Sequence, residues 1–236
     1  MSIVPEHHHR DVNAGAARAA VFGVSDGLVS NVSLILGVAG AHPNASVVRL
    51  AGLAGLIAGA CSMAVGEYLS VSAQVELTER ELRIERHEIT HNTGKERNEL
   101  VQLYRKRGLR SELAEEVATA IMSDEDQALE VHAREELGVD PENLGAPVRA
   151  AVASFVSFVV GAFVPLIPWL FGHGANRTLV ITSLVLAAIG AAGVGVLLAR
   201  LTGRDKWRVA LRQVAFAAVS AGIAYGVGSL VGVSTA

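Results

Sequence analysis

Met63-Ala64-Val65-Gly66-Glu67-Tyr68-Leu69-Ser70-Val71-Ser72-Ala73-Gln74-Val75-Glu76-Leu77-Thr78-Glu79-Arg80-Glu81 begins in an apolar segment and ends in an acidic one. No proline or paired glycine separates the two halves, so neither of the usual helix stops is present. The join reads as a single helix that leaves a bilayer and continues into water. That reading organises the rest of the chain.

Working outward, five apolar stretches stand at 18–41, 48–75, 148–171, 178–199 and 211–233. Each supplies about 20 helical residues, the length that crosses a hydrocarbon core of about 30 Å. His42-Pro43-Asn44-Ala45-Ser46 and Phe171-Gly172-His173-Gly174-Ala175-Asn176 form short polar turns between spans. Composition agrees: the chain is 51% hydrophobic and 18% charged, with a mean hydropathy of +0.40. A soluble domain carries about 25% charged residues. Charge is also segregated. Glu76 to Pro147 holds 18 acidic and 10 basic residues, a balance of -8, whereas the remainder holds 5 and 10, a balance of +5.

Arg200, Arg204, Lys206, Arg208 and Arg212 surround the turn between spans four and five. The positive-inside rule places that turn in the cytoplasm. Counting back puts the N-terminus, with Arg10 and Arg18, on the same side. The chain is thus expected to have a cytoplasmic tail at 1–17, transmembrane helices at 18–75, a cytoplasmic helical domain at 76–147 and three further spans at 148–236. The expected location is the cell membrane, multi-pass. Pro165 and Pro168 either close span three beside an interfacial Trp169 or kink it.

Cys61 is the single cysteine, which excludes an internal disulfide and a thiolate metal cluster. His7, His8 and His9 are read as a weak metal-binding run or a passive tail. The opening residues lack a signal-peptide pattern, and no nucleic-acid module is recognisable.

The 76–147 segment lacks strand alternation and reads as three helices. Val75 to Arg107 is one helical run with a bend expected at Asn92-Thr93-Gly94 and a stop at Gly108. Pieces at 111–121 and 124–137 follow, the second opened by a capping box of Ser123 and Asp126. On a continuous helix, Glu81, Glu85, Glu88, Asn92, Glu96 and Glu99 share an arc of about 80°. Stacked carboxylates repel by a few tenths of a kcal/mol per pair unless cations neutralise them. Arg80, Arg83 and Arg86 are placed to do part of this, and a bound metal the rest. The last helix repeats Glu125, Leu129, His132 and Glu136 at steps of four, three and four. Carboxylates with an imidazole suit Fe2+, Mn2+ or Zn2+. The alternative is a solvated charged face.

Two acids lie within spans. Asp26 falls in Phe22-Gly23-Val24-Ser25-Asp26-Gly27-Leu28-Val29-Ser30-Asn31, and Glu67 follows Met63 by four residues on one face of span two. A carboxylate in hydrocarbon is a functional-site hypothesis by default. Carboxylates hold metal in one state and protons in another, and a thioether favours transition metals. Ser25, Ser30 and Asn31 are candidates for the polar lining. The structural alternatives are packing for Met63, a local cap for Asp26 and a headgroup position for Glu67.

The chain resembles the vacuolar iron transporter family of plant vacuolar importers and fungal iron and manganese transporters. The resemblance rests on Asp26-Gly27-Leu28-Val29-Ser30-Asn31, Leu36-Gly37-Val38-Ala39-Gly40-Ala41, Ser62-Met63-Ala64, Gly66-Glu67-Tyr68, Arg134-Glu135-Glu136-Leu137-Gly138 and Pro165-Leu166-Ile167-Pro168. It implies five spans per subunit, a homodimer with its pathway at the subunit interface, and metal export from the cytoplasm coupled to proton entry. It implies pathway roles for Asp26 and Met63, with Glu67 as a third participant. It also implies metal binding at Glu85, Glu88, Glu96, Glu99 and Glu136. The sequence departs from plant members where His132 and Ala133 replace methionines, and at Gly55, near which those members carry an acid.

The expected fold is therefore an all-α membrane protein of five transmembrane helices, with a cytoplasmic three-helix acidic metal-binding domain between spans two and three. The expected function is proton-coupled transport of Fe2+, with Mn2+ and Zn2+ as alternatives. No enzyme activity and no resident cofactor are expected. A metal-responsive scaffold or sensor is the competing reading. A membrane ferroxidase is disfavoured, since paired Glu-x-x-His helices are missing.

Overall fold

The computed structural model describes residues 15–41, 44–172 and 176–234. The His7–His9 run, Arg10, and the turn residues at 42–43 and 173–175 lie outside the described residues. The elements are α1 (Gly15–Gly40), α2 (Ala45–His91), α3 (Thr93–Lys106), α4 (Ser111–Ile121), α5 (Glu125–His132), a π-helical turn at Ala133–Leu137, α6 (Pro147–Phe171), α7 (Asn176–Thr202) and α8 (Lys206–Ser234). No strand occurs among the described residues. Five of these helices, α1, α2, α6, α7 and α8, are long and apolar enough to cross a membrane.

The chain divides into two compact units, one made of residues up to Tyr68 with Pro147 onward, the other of Leu69–Ala146. Helix α2, at 47 residues, contributes to both.

In the first unit α1 is central and packs against α6, α7 and α8. Its sequence allows this because glycine meets glycine or carbonyl at the crossings. A Cβ built on Gly27 would lie 2.2 Å from the carbonyl oxygen of Phe158, and one on Gly161 would lie 2.1 Å from that of Val24. Both obstacles are backbone, so neither yields by a rotamer change. Such close backbone approach supplies the packing that lipid, being as apolar as leucine, does not drive. Ile35, Val48, Phe158, Leu166 and Trp169 form one core. Leu28, Val32 and Leu36 form another against Ala187, Ala191, Ala217 and Ala221. We expect Gly161→Val to force α1 from α6 and to destabilise this unit by about 1–3 kcal/mol, the usual cost of overpacking. Thermal unfolding in detergent measures it, and an unchanged midpoint would contradict the packing.

Helix α6 runs through Pro165 and Pro168 to Phe171, so the prolines occupy its last two turns. Trp169 corrects the interfacial reading: it is 1% exposed. Its Nε1–H donates to Ser183 Oγ at 2.8 Å, and the Ser183 hydroxyl donates to the Pro165 carbonyl at 2.6 Å. An indole buries readily once its single donor is satisfied. The outward surfaces remain apolar, with Leu211, Phe216, Ile223 and Leu230 of α8 exposed.

In the second unit α3 and α4 pack through Leu100, Val101, Ala114 and Ala118, and the end of α2 meets α5 through Ile89, Ala128 and Leu129. Gly108 at φ +98° and Gly138 at φ +65° close α3 and the π turn in the left-handed region that glycine enters without penalty. The N-cap of α5 is Asp124, whose carboxylate accepts from the backbone N–H groups of Asp126 and Gln127, both at 3.0 Å. This corrects the Ser123 capping box: the Ser123 hydroxyl instead donates to the Ala120 carbonyl at 2.6 Å.

Candidate metal centre

The second unit brings Glu85, His132 and Glu136 together, their ligand atoms all within 4.8 Å of one another. Three local features produce this. Glu85 sits on α2 less than two turns before its end. Asn92 then breaks the helix at φ -122°, ψ 34°. The stripe is therefore not one continuous face, and Glu96 turns inward to become 2% exposed. Finally, His132 ends α5 and Glu136 stands in the π turn that follows. A π turn holds more residues per turn than an α-helix, which re-aims the side chain four positions on; such turns recur at functional sites.

Nδ1 of His132 lies 3.1 Å from Glu85 Oε1, 3.3 Å from Glu136 Oε1 and 3.8 Å from Glu96 Oε2. The imidazole is fully buried, yet neither ring nitrogen makes an aligned hydrogen bond, and Glu85 Oε1 also lacks one. These carboxylates thus stand close to Nδ1 without a hydrogen bond that satisfies it. Buried polar atoms are almost always satisfied. A divalent cation would satisfy His132 Nδ1 and Glu85 Oε1 together, with the carboxylates supplying charge and the imidazole a borderline nitrogen donor. Lys95 partly offsets the charge from outside, with Nζ 3.3 Å from both Glu96 and Glu99.

Burial raises the Glu85 carboxyl above the ordinary glutamate value of 4.5; nearby His132 opposes this, and Glu136, Glu96 and Glu99 add to it. The folded metal-free state therefore keeps this proton longer than the unfolded chain. Its stabilising contribution is complete below 4.5 and is lost as pH rises through the raised folded value. We expect the unfolding midpoint of metal-free protein to fall over that window, and Glu85→Gln to flatten the fall. Parallel pH profiles for both proteins would contradict the assignment.

The other predicted residues are placed differently. Glu88 accepts from Asn92 Nδ2 at 2.7 Å, and Glu99 pairs with Lys95. Glu99 and Glu136 share the wall of a surface cavity of about 850 Å3 with Lys95 and Arg107. Arg80 pairs with Glu81 of the stripe, as expected, whereas Arg86 pairs with Asp126 outside it. Glu125 is exposed and stands outside the cluster. Glu96 was legible as an acid in a stripe but not as a buried one, because only the break at Asn92 turns it inward.

In the first unit Asp26 is exposed on α1, and its backbone carbonyl accepts from Ser30 Oγ at 2.6 Å. Ser25 Oγ accepts from Gln213 Nε2 of α8 at 2.9 Å. Gln213 adds a polar group beside the Asp26 segment that the sequence reading missed; its only signal was an amide in an apolar span. Asn31 is a buried packing residue rather than an open lining: its Nδ2 donates to the Ala162 carbonyl at 2.6 Å. Met63 packs against the Phe158–Leu166 core, and Glu67, four residues on, is half-buried. Among the described residues, Asp26 and Glu67 belong to no group of three ligating side chains. A Cβ at Gly55 would meet Leu34 Cδ2 at 2.2 Å, so a side chain there would require the tip of Leu34 to turn aside.

The model of the VIT family matches residues 17–229. The chain is 29% identical to "Vacuolar iron transporter 1" of Oryza sativa subsp. japonica over 95% of this chain and 90% of that one. It is 38% identical to "Vacuolar iron transporter" of Acanthamoeba castellanii over 76% and 66% respectively. It is 33% identical to "Vacuolar iron transporter homolog 1" of Oryza sativa subsp. japonica over 91% and 73%.

Proposed function

The chain belongs to the VIT family, and from that premise we propose that it is a multi-pass transporter carrying Fe2+, or a related divalent transition metal, out of the cytoplasm in exchange for protons. The observation that carries this reading is the buried His132 facing Glu85, Glu96 and Glu136 with its nitrogens unpaired. Vacuolar iron transporters among the relatives support iron as the cargo.

In this reading the Leu69–Ala146 unit is cytoplasmic and concentrates the ion. Glu85, Glu96, His132 and Glu136 hold it, while Glu88 and Glu99 supply outer negative charge. Asp26, Met63 and Glu67 serve the membrane pathway, where a carboxylate alternates between proton and metal. The cationic turn from Arg200 to Arg212 supports the orientation. The exposure of Asp26 in a single subunit supports a homodimer, in which a second copy shields the carboxylate from lipid.

Purified protein in liposomes, loaded on one side with Fe2+ or Mn2+ and given an opposed pH gradient, tests the reading. Metal movement that collapses when the gradient is removed is expected. Metal binding without flux would leave a membrane scaffold or sensor, a reading favoured by the cluster's lying wholly within one unit.

A further inference from the structure

Two histidines on α2 take no part in the carboxylate cluster. His87 and His91 are exposed and one helical turn apart, with ring centroids 4.0 Å apart and planes inclined by 29°. They lie about 200° and 240° around the helix from Glu85, on another face of α2. Nδ1 of His91 stands 3.0 Å from the His87 carbonyl oxygen. A carbonyl only accepts, so Nδ1 carries the proton and the neutral ring leaves its lone pair on Nε2. Tying one imidazole nitrogen to a backbone carbonyl is how proteins fix the tautomer and aim of a metal-ligating histidine.

The helix has already placed the second ring beside the first. An ion held by one nitrogen meets the other at high effective concentration, and the second bond forms without ordering a loop. Four residues before His87, along the same side of α2, stands Arg83. A hard cation, bound through oxygen and charge, gains nothing beside two imidazoles and this guanidinium. An ion that bonds strongly to imidazole nitrogen does. The Irving–Williams order places Cu2+, Ni2+ and Zn2+ above Fe2+ and Mn2+ for such a donor set.

We propose that His87 and His91 form a second, nitrogen-donor metal site that takes Cu2+, Ni2+ or Zn2+ and is separate from the Glu85–His132–Glu136 cluster. The unit thus presents two donor chemistries: a mixed carboxylate–imidazole set, and a paired-imidazole set that retains late transition ions. The proposal concerns binding and does not rest on transport.

Cu2+ added to the full chain in detergent, in a background with His7, His8 and His9 replaced by alanine, is the probe. Electron paramagnetic resonance is expected to show a site with two imidazole nitrogens beside the one-nitrogen signal of the Glu85–His132–Glu136 cluster. His87→Ala or His91→Ala should each leave one nitrogen from this pair and weaken Cu2+ about tenfold or more, as the chelate is lost. Mn2+ binding should stay unchanged in both variants, which reports that the fold and the carboxylate cluster are intact. A two-nitrogen signal that survives either substitution, or only one-nitrogen signals in the parent protein, would overturn the proposal. Loss of Mn2+ binding together with Cu2+ would do so too, because the pair would then be supporting the cluster rather than forming its own site.

Discussion

Asp26→Asn is expected to reduce metal flux in liposomes to background while leaving the protein folded and its thermal midpoint unchanged or higher. Asp26 lies on α1 within a candidate span, and among the described residues its carboxylate has no hydrogen-bond or salt-bridge partner. An acid at such a position costs about 2.5–3.5 kcal/mol on insertion scales. Local structure does not offset that cost, since the Ser30 hydroxyl bonds the backbone carbonyl of Asp26 and not its side chain. Asparagine keeps the shape but neither binds a proton near neutrality nor opposes a cation's charge. Function and stability should therefore move in opposite directions, as at sites where strain is retained for activity. Substantial residual flux from Asp26→Asn would remove this residue from the pathway. A lowered midpoint would instead make it structural.

The second large effect is expected at His132. Metal that binds only the folded protein stabilises it by about 2.7 kcal/mol at a concentration one hundred times its Kd. Mn2+ should raise the unfolding midpoint of the wild-type chain accordingly. His132→Leu fills the same buried space, so the metal-free protein should fold, but it removes the single nitrogen donor among Glu85, Glu96 and Glu136. We expect Mn2+ affinity to fall by at least about 10–100-fold, the scale seen when only the outer partners of metal ligands are removed, and the Mn2+-induced rise to shrink with it. Glu96→Gln should give a related result with a distinct signature. It should weaken metal binding yet stabilise the metal-free unit, because a carboxylate 2% exposed is relieved of its charge. An undiminished Mn2+ shift in His132→Leu would show that the ion sits elsewhere.

Much of this was open to reading along the chain. The runs at 18–41 and 148–171 are apolar for the length of a bilayer, and no packing detail is needed to read them as spans. The breaker at Asn92-Thr93-Gly94 and the stop at Gly108 were legible from local backbone preference, and both mark helix ends in the structure. Ser123 was misread because serine and aspartate cap equally well, and Asp124, one residue on, holds the geometry that reaches two N–H groups. Trp169 was misread because an indole near a span end serves an interface or a core, and only Ser183 on α7 decides between them.

The candidate metal cluster divides in the same way. Composition and spacing alone determined that residues 76–147 are acidic and helical, and that carboxylates and one imidazole recur at helical intervals. These are properties of a chain with its neighbours, set by periods of three and four residues. Which acids converge was decided by tertiary structure. A break at one residue swings Glu96 inward while Glu88 stays with Asn92, and one π turn sets the aim of Glu136 relative to His132. A helical wheel assumes a constant angle per residue. The site is built where that angle changes, so its membership depended on how α2, α3 and α5 pack and not on where their acids fall in the sequence.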